Sequence, residues 1–210
     1  MGIQGRGKIM KNIKKIFIMA NIMVLSFTAL AKAEAPIPMG WYLEGNLGGS
    51  KISDVSYAPN TSISTTGLAW SLNGGYKFIP YFAAEIGYTS YANGKINFNG
   101  SQVGKDQAQS YDIAAKAIMP VQDTGAELFA KLGVARAKSQ ITATNAELLA
   151  ASGETLNTGK KYSTNLYFGM GGDYAFMPNT AINLQWNRVD GASNTGNLDL
   201  FSLGLTYLFD

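Results

Sequence analysis

The side chains able to do chemistry in this chain are carboxylates and lysines, because histidine and cysteine are both absent from its 210 residues. That absence removes Ser-His-Asp and Cys-His nucleophilic catalysis, His-ligated zinc, and every thiol or disulfide reaction. Asp54, Asp106, Asp112, Glu147, Glu154 and Asp190 are scattered and lack the spacing of a calcium loop. The stretch from Gly153 to Lys161 has the outline of a phosphate-binding loop. It carries one residue too many between its glycines, and Lys161 stands where Ser or Thr is needed. Asn93-Gly94 and Asp190-Gly191 are turn signals. No enzymatic activity, cofactor or metal is expected. Glu44, Glu85, Asp112, Lys116, Glu127, Lys131 and Asp173 have a different chemistry open to them, that of ion pairs held away from water.

The elements that must position these residues are strands. From Leu200 to Phe209 one face carries Phe201, Leu203, Leu205, Tyr207 and Phe209, and the other Leu200, Ser202, Gly204, Thr206 and Leu208. Strict alternation means a strand, since side chains switch faces at every residue. The same pattern recurs over Trp41–Gly49, Gly67–Lys77, Tyr81–Tyr91, Ser110–Met119, Gly125–Arg136, Tyr162–Ala175 and Thr180–Arg188. Each segment sets an apolar face against one that is small, polar or charged. Glu44 and Asn46 lie opposite Leu43 and Leu47; Glu85 opposite Ile86; Asp112 and Lys116 opposite Ile113; Glu127 and Lys131 opposite Leu128 and Leu132. Asp173 likewise opposes Tyr174, and Asn183 and Gln185 oppose Leu184 and Trp186.

Eight strands of this length suit a tilted membrane crossing of about 9–11 residues each. Their connections alternate. Lys77–Pro80, Met119–Thr124 and Phe176–Asn179 are short and contain proline, whereas Ser50–Thr66, Ala92–Gln109, Ala137–Lys161 and Val189–Asn197 are long and polar. Thr144 and Glu147 have capping-box spacing, so the third long loop is expected to hold a short helix over Ala146–Ala151. Aromatic residues gather near strand ends, at Trp41, Tyr76, Tyr88, Tyr111, Tyr174, Trp186, Tyr207 and Phe209, as interfacial girdles do. The reading is an all-β, eight-stranded antiparallel up-and-down transmembrane β-barrel of the bacterial outer membrane. The alternative is a soluble periplasmic lipocalin-like binding barrel, which would turn its apolar face inward.

The N-terminus reads as an export signal, with residues 34–210 forming the barrel domain. Lys8, Lys11, Lys14 and Lys15 precede an apolar run from Ile16 to Leu30, shorter than the roughly 20 residues of a spanning helix. Ala31-Lys32-Ala33 fits the small-x-small cleavage rule, with the cut after Ala33 because Pro36 disfavours one after Ala35. Met1 and Met10 both remain as start codons. Residues 1–33 hold six of the 17 bases and none of the 14 acids, so the mature net charge is −3. No basic patch indicating nucleic acid remains.

These segments together resemble the transmembrane domain of the OmpA family, an eight-stranded outer-membrane barrel. The resemblance rests on Trp41 to Gly48, Gly74 to Tyr81 with Glu85 to Tyr88, Lys131 to Gly133, Gly171 to Ala175 with Pro178, and Leu200 to Phe209. It implies a charged network inside the barrel in which Glu85 and Lys116 form an acid–base pair, Asp173 is a second acid, and Lys131 fills a basic position. Departures from the family pattern are Asn183 in place of a gating arginine, Gln185 in place of an acid and Asn46 in place of a base. The resemblance also implies a structural or surface role, with at most a narrow gated ion path and no periplasmic domain after Asp210. The partners it implies are outer-membrane lipid and lipopolysaccharide, periplasmic chaperones, and the barrel assembly machinery, which reads Tyr207 and Phe209. A surface-loop adhesin or host-facing antigen is the alternative role for the long loops. The lipid A deacylase and palmitoyltransferase barrels rely on histidine, which this chain lacks.

Overall fold

Alternation drives eight segments into antiparallel strands that close into a ring, and two further short strands occur among the described residues. The structure, a computed structural model, describes residues 37–53, 61–64, 66–98, 101–121, 124–143, 158–191 and 196–209. The strands are β1 (Gly40–Ser53), β2 (Thr61–Ser64), β3 (Thr66–Ile79), β4 (Phe82–Ser90), β5 (Gly94–Phe98), β6 (Ser101–Val121), β7 (Ala126–Ala143), β8 (Gly159–Met177), β9 (Thr180–Asp190) and β10 (Asn197–Leu208). Eight of them, β1, β3, β4, β6, β7, β8, β9 and β10, form the barrel, closed where β1 pairs β10. β5 prolongs the β4 side of the sheet above the ring by pairing with β6, and β2 pairs with β5. No helix occurs among the described residues.

The register sets the barrel's shape. Following paired residues round the ring leads from Tyr42 through Gly75, Glu85, Ala114, Gly133, Tyr167, Val189 and Leu198 to Ile52. The path returns to β1 ten residues beyond its start. That stagger tilts the strands by about 40° for ordinary strand rise and spacing, and leaves an interior that side chains fill.

Outside, the barrel is apolar. Leu47, Leu68, Ile86, Ile113, Leu132, Leu166, Leu203 and Leu205 are all exposed. The soluble lipocalin-like alternative is thereby overturned, since it needs those residues inside. The interior has three layers. Tyr42, Phe129, Ile118 and Leu208 form an apolar cluster toward the short turns. Tyr91, Tyr167, Val189, Leu198 and Leu200 form another toward the long connections. Glu44, Glu85, Lys116, Lys131 and Asp173 lie between them.

The predicted long loops are in part strand. β2 and β5 fall inside two of them, β6 begins at Ser101, β7 continues to Ala143 and β8 starts at Gly159. Here polar residues stand on both faces, as at Gln107, Gln109, Ser139 and Gln140, so no regular hydrophobic period marks the strand. Backbone pairing between β6, β7 and β8 carries it instead. The helix expected over 146–151 and the signal segment with Ala31 and Ala33 lie outside the described residues. Just before β7, Gly125 adopts a φ of 67°. There Thr124 Oγ1 donates to the Val121 carbonyl at 2.8 Å and accepts from the Ala126 amide at 3.2 Å.

Candidate functional site

The charged layer is assembled by register. Glu44 on β1 faces Asn73 on β3 and Thr206 on β10, and Lys116 on β6 sits opposite Lys131 on β7 and Ala83 on β4. Alternation sends every one of these charges inward, where a charge facing lipid would cost about 2–4 kcal/mol near the midplane.

Glu44 is the hub, with no exposed surface at all. Its Oε1 accepts from Asn46 Nδ2 at 3.0 Å, Asn73 Nδ2 at 2.9 Å and Gln185 Nε2 at 2.7 Å. Two lysines approach it, one at each carboxylate oxygen. Lys131 Nζ lies 2.6 Å from Glu85 Oε1 and 3.5 Å from Glu44 Oε1. Lys116 Nζ lies 3.1 Å from Asp173 Oδ2 and 3.8 Å from Glu44 Oε2. Tyr42 donates its hydroxyl to the other Glu85 oxygen at 2.9 Å. The Phe129 ring lies under both ammonium groups, 3.9 Å from Lys116 and 5.2 Å from Lys131, adding cation–π attraction at the apolar floor. Three carboxylates thus share two lysines. The amide donors of Asn46, Asn73 and Gln185 all go to Glu44 Oε1, while Glu44 Oε2 and Asp173 Oδ1 have no hydrogen-bond partner among the described residues.

Glu44, Asn46, Glu85, Lys116, Lys131, Asp173 and Gln185 meet in this one layer. Asn183 is buried beside it and donates to Thr206 Oγ1 at 3.2 Å instead of joining the hub. The pairing implied between Glu85 and Lys116 is not made. Lys131 takes Glu85 and Lys116 turns to Asp173, because the β6–β7 register brings both lysines into the same layer, each beside a different acid.

Sequence reasoning missed a second ion pair. Lys77 Nζ lies 2.6 Å from Glu127 and donates to the Ile37 carbonyl at 3.0 Å, near the short-turn rim. Lys77 reads as the start of a turn, yet it continues the inward series Ser71, Asn73 and Gly75. Asn73 and Tyr42 were also passed over, although alternation points both inward.

Asp112 is 6 % exposed, and neither of its oxygens has a hydrogen-bond partner among the described residues. A Cβ at Gly87 would stand 2.7 Å from both of them and 2.5 Å from Asn73 Oδ1, so the missing side chain leaves a space that three oxygens share. Gln185 Oε1, Asn183 Oδ1 and Asn187 Oδ1 are further buried acceptors without donors among the described residues. No group of three or more His, Cys, Asp or Glu able to cage a metal occurs among the described residues.

Two aromatic bands ring the exterior. Trp41 and Tyr76 are in edge contact at 5.0 Å, as are Tyr207 and Phe209 at 5.2 Å, all near the short turns. Tyr174 is half-buried on the same side. At the other rim Trp70, Tyr88 and Tyr111 form a chain of rings with centroids 5.3 and 5.0 Å apart. Trp186 there packs on Phe168 at 5.6 Å and donates to Asp199 at 3.2 Å.

The chain matches the OmpA-like transmembrane domain over residues 38–210. No curated protein matches it. It is similar in fold to the outer membrane protein OprG of Pseudomonas aeruginosa, at 14 % identity and a TM-score of 0.62, over 83 % of this chain and 98 % of that one. The N-terminal barrel of Pseudomonas aeruginosa OprF aligns at 15 % identity and a TM-score of 0.53, over 81 % and 98 %. Neisserial surface protein A aligns at 18 % and 0.51, over 81 % and 97 %. With the closed apolar-walled ring and the two aromatic bands, these findings place the protein in the bacterial outer membrane, as a member of the family of OmpA-like transmembrane domains.

Proposed function

We propose that this barrel, beyond its general surface or structural role, contains a narrow ion path that its charged layer opens and closes. The observation that carries the reading is the unequal sharing of Glu44. Each lysine has a near acid and a farther one: Lys131 has Glu85 at 2.6 Å against Glu44 at 3.5 Å, and Lys116 has Asp173 at 3.1 Å against Glu44 at 3.8 Å. Exchange between two such partners needs a side-chain movement of about an ångström and no change in the strands. Unpaired carboxylate and amide oxygens favour water and cations over anions as occupants. The apolar clusters above and below keep the resting path shut.

Planar-bilayer recordings test the reading. Glu85→Ala and Lys116→Ala each remove one side of the exchange, and each is expected to change single-channel conductance or open probability severalfold relative to the parent. Unchanged traces for both variants would leave the layer a purely structural plug. The role needs no catalysis, and we propose none.

A further inference from the structure

We propose that Asp112, with Asn73 beside it, binds one partly dehydrated alkali-metal cation inside the barrel, on the side of the charged layer that faces the long connections. The inference does not depend on ion passage, because a resident cation would bind equally well in a barrel that never conducts.

Asp112 stands among short side chains. Its inward neighbours along β6 are Ser110 and Ala114, and its cross-strand partners are Gly87 on β4 and Ala135 on β7. None of the four carries a positive charge, and the Ser110 hydroxyl is engaged with that of Tyr91 at 3.2 Å. Lys116 and Lys131 are drawn to other acids, at 3.1 Å from Asp173 and 2.6 Å from Glu85. The Asp112 carboxylate is 6 % exposed, and neither oxygen accepts a hydrogen bond among the described residues.

What this carboxylate faces is another oxygen. A Cβ placed at Gly87 would lie 2.7 Å from both Asp112 oxygens and 2.5 Å from Asn73 Oδ1, so the three converge over one α-carbon. Asn73 is not free to offer its nitrogen instead. Its Nδ2 donates to Glu44 Oε1 at 2.9 Å, and turning the amide over would set oxygen against oxygen there. A buried carboxylate turned toward an amide oxygen is costly unless a positive charge lies between them. The charge balance of the interior points the same way. Glu44, Glu85, Asp112 and Asp173 surround Lys116 and Lys131, so acids outnumber bases there, whereas Lys77 and Glu127 cancel nearer the short turns.

The donor set selects the ion. All three atoms are oxygens, which suit hard cations. Calcium sites draw on many oxygens, and magnesium keeps several of its waters in a strict octahedron. One carboxylate with one neutral amide oxygen offers a single negative charge, which a monovalent ion of sodium's size matches.

The test uses the full folded protein in zwitterionic detergent and reads the midpoint of urea unfolding. Sodium chloride is exchanged for N-methylglucamine chloride at constant ionic strength, since the bulky organic cation cannot enter the barrel. Sodium at ten times its dissociation constant should favour the folded state about tenfold, so the parent midpoint should rise with sodium. Asp112→Asn removes the charge, and Gly87→Ala puts a methyl group where the oxygens converge; both should lose the response. Asp190→Asn, at an exposed carboxylate, should keep it. A parent indifferent to sodium, a response that survives in Asp112→Asn or Gly87→Ala, or an equal loss in Asp190→Asn would overturn the proposal. So would a midpoint that follows pH and ignores sodium, which would assign a proton to Asp112. Saturation by micromolar calcium in place of sodium would overturn it as well, by making the site divalent.

Discussion

The properties of single residues here follow from how many partners each has. Lys131 is the most enclosed, a fully buried cation between two carboxylates. Removing one partner from a buried pair leaves uncompensated charge, at a cost of about 3–5 kcal/mol. Lys131→Met should therefore lower the midpoint of urea unfolding in detergent far more than Lys131→Met with Glu85→Gln, which discards an acid as well. Equal losses in the two variants would show that the pair is uncoupled. Much of this layer was legible from residue type and parity of position: Glu44, Glu85, Lys116, Lys131 and Asp173 all had to face inward once the apolar face had to face lipid. The choice of partner was not legible. Glu85 goes to Lys131 because of the stagger between strands, a quantity absent from any single segment. Lys77 was lost to a turn for a related reason, since a polar residue beside Phe78-Ile79-Pro80 carries the same local signal in a strand end as in a loop.

At the scale of elements, period-two patterning located all eight crossings because lipid outside and packed charge inside impose opposite demands on successive residues. It failed where those demands stop. Beyond the upper aromatic band the outward face of β6 and β7 is polar and the inward face mixes buried Asp106 and Ser139 with Ala108 and Ile141, so only backbone pairing marks them as strands. The apolar clusters inside the barrel were equally hidden, because Leu198 and Leu200 on an inward face look like breaks in the pattern rather than a lid on the charged layer. The same division of environments makes a graded prediction. Leu132→Arg, mid-strand and outward, should destabilise the protein in phospholipid vesicles by about 2–4 kcal/mol, whereas a cation substituted for Thr142 near the rim should cost under about 1 kcal/mol. Guanidinium titrations of the two variants measure the difference, and equal costs would mean that the two sites lie at one depth.

For the whole molecule, closure is the property on which the others depend. β1 meets β10, so the ring joins the first and last crossings and leaves no strand edge in lipid, where each unsatisfied backbone group costs several kcal/mol. Deletion of residues 197–210 should therefore abolish the compact, fast-migrating form in unboiled detergent gels that the full chain is expected to show. A truncated chain that still migrated fast would mean that the remaining seven strands can close without β10. The ten-residue advance around the ring has an evolutionary consequence as well. An inward side chain must have inward neighbours on both sides, so the advance can change only by even numbers. A single inserted or deleted residue in a crossing would turn half of one strand inside out unless it were expelled as a bulge. The register irregularities of the crossing strands fall at Lys77/Ile79 and Ala175/Met177, both beside short turns at the ends of crossings. Lineages of this barrel should therefore vary freely in the length of their outer connections, while insertions and deletions in the wall are confined to pairs of residues or to its rims.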